Sequence, residues 1–412
     1  MNRIIIVGNG FDLAHNLKTK YEEFINWYWS KWLKLLNNSI YQFEEDGLFK
    51  IGVKNNSDCL CNYFYTGCTE RNVYKHIEKV RQEKGLSSVI SPILERVSKS
   101  IETKGWVDIE ADYYAMLVEC KGKKDELERL NKDFAVIQDL LVEYLNEIQE
   151  LKINKDVLIE EIENQMLSPF SANEISIESN DKWQTFLKSR FERNDIVKNI
   201  MLYMSLDVPR RVLEIKNFLS SNRERVSCLG IEAVGDEFPS DILYPDRVML
   251  LNFNYTKTAD LYLENKYFIV NHIHGDLLAP ETVIFGYGDE SDDEYKKLQK
   301  INDNEYLRHI KTNRYLETSH YRDLLAFIDS APFQVCIMGH SCGLSDKTLL
   351  NTLFEHKNCA SIKPYYYVNE EGKDNYLDIV QNISRNFTNP QLMRDRVVNK
   401  TYCSPLPQKS KE

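Results

Sequence analysis

Arg3-Ile4-Ile5-Ile6-Val7-Gly8-Asn9-Gly10-Phe11-Asp12-Leu13 is the stretch whose reading decides the fold. Arg3 to Val7 is a β-branched apolar run without polar alternation, the pattern of a strand covered on both faces of a parallel sheet. It breaks at two glycines, after which Phe11, Leu13 and Leu17 supply the apolar face of a helix. Similar apolar runs follow at Val248 to Leu251, Phe268 to Ile273, Val283 to Phe285 and Phe333 to Met338, with Tyr365 to Val368 as a sixth. Helical patterns separate several of them, which is the rhythm of a doubly wound sheet. The expected class is α/β: a Rossmann-like parallel sheet with a large, mainly helical insertion after the first strand. The sheet domain is placed at 1–20 and 245–400, the insertion at 21–244 and a frayed polar tail at 403–412.

Within the insertion, Leu127, Leu130, Phe134, Ile137, Leu141, Tyr144, Ile148 and Leu151 recur at alternating spacings of three and four, a heptad seam. An antiparallel helical hairpin packed within the chain is the preferred reading. A homo-oligomer built on the same seam is the alternative.

The chain has 412 residues, 42% hydrophobic and 28% charged, so a sizeable core is within reach of its composition. No window approaches the roughly 18 apolar residues of a membrane span, and no membrane partner is expected. The run Ile4 to Val7 is too short for a signal-peptide core and ends in Gly-Asn-Gly, so a cytoplasmic protein is expected. The net charge of −11 argues against a broad nucleic-acid-binding surface. Basic stretches such as Arg190 to Arg193 and Arg210-Arg211 read as solvated helix faces. Nine scattered cysteines read as reduced thiols, and Cys59, Cys61 and Cys68 lack the paired spacing of a zinc ribbon.

Four motifs carry the chemistry. Gly8, Asn9 and Gly10 let a backbone approach a phosphate, with Phe11 opening the helix and Asp12 or Asn9 capping it or touching a ribose; Leu13 replaces the third glycine of a dinucleotide fingerprint, and a merely structural turn fits about as well. Asn252-Phe253-Asn254-Tyr255-Thr256 places two poor strand formers at a strand end, where they form Asx turns or turn an amide to a ligand. In His272-Ile273-His274-Gly275-Asp276, His274 stands at the exit beside Gly275, where a general base would be useful; a metal held by the two histidines lacks a third ligand. Gly339-His340-Ser341-Cys342-Gly343, with Asp346 close behind, offers small and hydroxyl groups to a phosphate or ribose, and matches a serine-hydrolase elbow with Ser341 as nucleophile. Only His356 follows, so the order of acid and base is wrong for that hydrolase. All four motifs fall at strand carboxyl ends, where open parallel sheets bind ligands, and one nucleotide-like ligand accounts for all of them.

At these residues the chain resembles the AbiH abortive-infection family of bacterial antiphage proteins, on Ile4 to Leu13, Asn252 to Thr256, Ile273-His274-Gly275, and Gly339-His340-Ser341 with Asp346. Trp106-Val107-Asp108-Ile109-Glu110 also looks like a family element. That family is similar to sirtuin-like NAD-binding domains, which implies NAD as substrate or ligand with no further cofactor required. The resemblance implies Asn254 and His274 as catalytic residues, and hydrolysis of NAD to nicotinamide and ADP-ribose in the infected cell, set off by a phage-derived activator. Thr256 stands where the sirtuin pattern has an acidic residue, and the four-cysteine zinc module is missing. A non-catalytic nucleotide sensor is the competing expectation.

Overall fold

The computed structural model describes residues 1–54, 58–64, 73–193, 209–229, 231–234, 238–263 and 268–409. Its strands, in chain order, are β1 (Asn2–Val7), β2 (Phe43–Glu45), β3 (Phe49–Gly52), β4 (Ser87–Ile90), β5 (Val248–Asn252), β6 (Phe268–His272), β7 (Phe333–Met338) and β8 (Cys359–Tyr365). The chain divides into two compact units. One comprises Met1–Leu17, Ile153–Asp276 and Tyr315–Glu412, the other Lys18–Lys152 and Leu277–Arg314.

The first unit is built on a parallel five-stranded sheet in the order β6-β5-β1-β7-β8. Every residue of β1 is buried, as a central strand of such a sheet requires. Alternation sends Ile5 and Val7 to one face, where they pack with Phe11, Ile162, Met166, Leu250, Tyr262 and Met338. Arg3 is buried too, its guanidinium donating to the Met166 and Ser168 carbonyls and to Gln334 Oε1. The chain runs outward from β1 through β5 to β6, then restarts beside β1 with β7 and β8. The order reverses between β1 and β7, the place where open sheets gape to admit ligands.

Two expected strands differ. Val283 to Phe285 forms no strand; these residues are buried in the second unit, where Phe285 stacks on Phe134 at 4.6 Å. The last strand is Cys359–Tyr365, not Tyr365 to Val368. Pro364 and Lys363 disguise it, and an edge strand tolerates both.

The second unit is not purely helical, since β2, β3 and β4 form an antiparallel sheet beside its helices. Residues 153–244, expected in the insertion, belong with the parallel sheet because Ile159, Ile162, Met166 and Leu167 cover its face. Residues 277–314 move the other way. The heptad seam lies on one helix, Lys124–Lys152. Leu127, Leu130, Phe134, Ile137, Leu141, Tyr144 and Ile148 are all buried within the unit, and Leu151's side chain lies outside the described residues. Phe134 stacks on Tyr113 at 4.0 Å, and Tyr144 packs on Trp27 at 5.4 Å. The seam is thus consumed inside the chain, which removes it as a homo-oligomer surface. Trp106 to Glu110 starts a helix capped by Asp108, and buried Glu110 accepts from Gly286 N and Lys311 Nζ at 3.1 and 3.0 Å.

The tail is not frayed through Lys409. Leu406 is in the core of the first unit, its N–H donates to Tyr366 O, and Lys409 N–H donates to Ala14 O. Residues 410–412 lie outside the described residues. Arg190 is likewise buried rather than solvated, bonded to Asp246, which also takes the N-terminal ammonium at 2.6 Å. Arg211 pairs with Asp241; Arg210's side chain and Cys68 are outside the described residues, while Cys59 and Cys61 lie 2.9 Å apart as thiols. No described helix is long and apolar enough to cross a membrane.

Candidate functional site

Val7 pairs with Asn252 and with Met338, and Asn252 pairs with His272, so four strands end on one row of the sheet. Their turns therefore leave from the same level, and all four belong to the first unit. Phe253 N–H donates to Val7 O and Ile273 N–H to Asn252 O, which carries the ladder one step into the turns.

The two glycine turns meet at the switch point. Gly10 N–H donates to Gly339 O at 2.7 Å, and Phe11 N–H to Gly8 O at 2.8 Å. A Cβ on Gly8 would stand 2.6 Å from His340 Cα, and one on Gly339, whose φ is +77°, would stand 2.0 Å from Phe11 N. The glycines are needed because these two backbones touch. That contact takes up Gly10 N–H, and Phe11 N–H is taken up by Gly8 O within its own turn, so both glycines serve the close approach of the turns. Asn9 is the exposed member of this turn. Phe11 is fully buried against His15 and Tyr262, a core residue rather than a ligand contact.

At the second turn the two asparagines separate in role. Asn252 is buried, its amide donating to Thr256 O and to His272 Nδ1 while its oxygen accepts Asn254 N–H. It builds the turn, with both N–H groups of its amide already engaged. Asn254 is half-buried, and its Nδ2 donates to Gly8 O at 3.0 Å, which fixes the direction of Oδ1. Thr256, also buried, donates to Asp12 Oδ2 at 2.6 Å. Asp12 thus meets this chain through the second motif. Burial raises its pKa to about 6, against the pull of Thr256, Thr258 and Asn254, which favour the charged form. Its Oδ1 is buried without a hydrogen bond.

The histidines also divide. His272 is fixed between Asn252 and Asp260, at 3.2 Å from each, as a packed residue of the strand end. His274 lies beyond the strand, before Gly275, whose φ of +79° makes the sharp turn. It is 4% exposed, with Phe253 edge-on at 5.0 Å and Tyr315 stacked at 6.1 Å. His274 Nε2 lies 3.2 Å from Tyr315 Oη and 3.3 Å from Asp346 Oδ1. The other oxygen, Oδ2, lies 3.5 Å from His340 Nε2. Asp346 and His340, expected at a phosphate or ribose, therefore form a cluster with His274.

Ser341 is exposed, and no histidine is bonded to its hydroxyl in the described residues. The left-handed residue of its turn is Cys342 (φ +54°), buried, whose thiol is pushed up by that burial. A nucleophile elbow puts the strained conformation on the nucleophile itself, so the serine-hydrolase expectation does not hold. Among the described residues no group of three or more His, Cys, Asp or Glu side chains is arranged to hold a metal.

Tyr315, Phe253 and Tyr255, whose rings pack on His274, and Asp260, bonded to His272, are not marked as site residues by the sequence. Phe253 and Tyr255 stood inside a quoted motif, and alternation with the asparagines was the signal available. Tyr315 is 41 residues from His274 in an irregular segment and offers no local signal.

An open parallel sheet with asparagine, histidine and aspartate side chains gathered at its strand ends defines an α/β protein with a polar site over the sheet's carboxyl edge. The family model described as Bacteriophage abortive infection AbiH matches residues 4–367, and the chain belongs to that family. Its family role is abortive infection against bacteriophage. No curated protein and no solved structure matches the chain.

Proposed function

We propose that the first unit is a sirtuin-like domain that binds NAD and hydrolyses it during phage infection of the cell, in the cytoplasm, when a phage-derived activator is present. The observation that carries this reading is the level row of strand ends, which brings Asn254 and His274 to one edge of the sheet with the Gly8 and Gly339 turns between β1 and β7. In the reaction, water adds to the anomeric carbon of the nicotinamide ribose, the bond to the pyridinium nitrogen breaks, and its electron pair leaves with neutral nicotinamide. The other products are ADP-ribose and a proton, which His274 accepts from the water or from a ribose hydroxyl. Asn254, anchored through Nδ2, presents Oδ1 to orient that water.

The test is nicotinamide release by the purified protein, with and without lysate from phage-infected cells. His274→Ala should lose on the order of 10²- to 10⁴-fold in turnover, and Asn254→Ala should lose the activity as well, while NAD binding, followed by calorimetry, persists in both. An active parent whose His274→Ala variant keeps full turnover would remove His274 as the base. A nucleotide sensor is the second reading, favoured by the burial of His274 beneath Tyr315. NAD binding without nicotinamide release under any of these conditions would select it.

A further inference from the structure

Cys342 N–H donates to His340 Nδ1 at 3.0 Å. A backbone N–H can only donate, so Nδ1 of His340 holds the lone pair, and the ring's proton is on Nε2. That nitrogen faces Asp346 Oδ2. The carboxylate therefore takes a donor from His340 on one oxygen and presents the other, Oδ1, to His274 Nε2 at 3.3 Å. A carboxylate oxygen only accepts, whereas the Tyr315 hydroxyl at 3.2 Å from the same nitrogen both donates and accepts. Only a proton on His274 Nε2 satisfies both neighbours.

We infer that Asp346, locked in place by His340, is a positioning residue that holds His274 as the Nε2–H tautomer, so that Nδ1 is the proton-accepting atom. The functional half of this inference rests on the NAD-hydrolase reading; the tautomer half does not. Asp346 faces His274 and is itself faced by His340, and the rings of Tyr315, Phe253 and Tyr255 are among those that pack on His274. When His274 accepts a proton at Nδ1, Asp346 is placed to stabilise the imidazolium. His340 does not take that proton, because its Nδ1 is occupied by Cys342 N–H. It sits instead between Gly8 and Phe253, with its ring 4.3 Å from that of Phe253, which fixes its direction.

Asp346→Asn makes the inference specific. His340 retains its proton on Nε2, so an asparagine there turns its oxygen to His340 and its NH₂ to His274. His274 Nε2 must then accept, and its proton moves to Nδ1. Histidine ¹⁵N NMR of the intact protein reads this directly, with the signals assigned through His274→Gln and His340→Gln. The wild type should show Nε2–H on both rings, and Asp346→Asn should shift His274 alone to Nδ1–H. Turnover in that variant should fall on the order of 10²- to 10⁴-fold, the scale of losing a general base, with NAD affinity unchanged.

A wild-type His274 protonated on Nδ1 overturns the inference whatever the variant does, and so does a variant that folds with its His274 tautomer unaltered. The expected tautomers in a protein that never releases nicotinamide would sink the hydrolase reading and leave the positioning intact. The expected tautomers with undiminished turnover in Asp346→Asn would overturn the functional half.

Discussion

Asp12 and His15 stand one turn apart and pull stability in opposite directions with pH. Burial raises Asp12 to about 6 from 3.8, so the folded state holds its proton more tightly than the unfolded chain. Its ionisation therefore costs stability progressively as pH rises from about 4 to 6, about 3 kcal/mol in all. His15, buried with its ring nitrogens on Phe11 O and Tyr262 Oη, is lowered to about 4 from 6.5 by that burial. Its contribution is lost as pH falls from 6.5 towards 4, again about 3 kcal/mol. The two slopes oppose each other between pH 4 and 6. Asp12→Asn should therefore gain on wild type as pH rises through this window, and His15→Gln should gain as pH falls. Urea unfolding at pH 4.5, 5.5 and 7 measures both, and parallel curves for wild type and Asp12→Asn would show that Asp12 is not perturbed. The chemistry-bearing types were readable at this scale, since Asn254 and His274 announce themselves at strand ends. Their partners were not: Asp12 with Thr256, and His274 with Tyr315, are joined only by folding.

The turns between strands carry the next level. Sequence reasoning expects Gly10→Val to fold and lose only ligand, but a Cβ on Gly10 stands 2.8 Å from Gly339 Cα and O. The expectation reverses: Gly10→Val and Gly339→Ala should each destabilise the first unit by more than about 2 kcal/mol, as strain and overpacking do. Gly343→Ala is the control, because its Cβ meets only ordinary contacts at 3.7 and 3.8 Å, and it should stay within about 0.5 kcal/mol of wild type. Thermal melts separate these outcomes, and an unchanged melt for Gly339→Ala would contradict the touching turns. On the Lys124–Lys152 helix, Phe134→Ala should cost about 3–5 kcal/mol by opening the stack between Tyr113 and Phe285. Molar mass by light scattering should not change, since that seam faces the interior of its own unit. β1, β5, β6 and β7 were legible because a short, mainly apolar run ended by Gly, Asn or His is a local signal. β8 was not, because a proline and a lysine in an edge strand mimic a loop.

Helical periodicity reveals which side of a helix is apolar but not which surface it covers, so the division of the whole molecule was only partly readable. Residues 153–244 carry the same kind of pattern as 124–152, yet they group with the parallel sheet, whose face Ile159, Ile162, Met166 and Leu167 cover. The family places the chain in abortive infection, and the strand-end cluster supplies the chemistry proposed for it. The most direct measurement is the NAD, nicotinamide and ADP-ribose content of phage-infected cells, followed by mass spectrometry in cells carrying wild type or His274→Ala. With wild type, NAD should fall, and nicotinamide and ADP-ribose should rise, before lysis, while cells with His274→Ala keep their NAD. Protection from phage by wild type with NAD levels indistinguishable from those of His274→Ala cells would contradict NAD hydrolysis as the function of this protein.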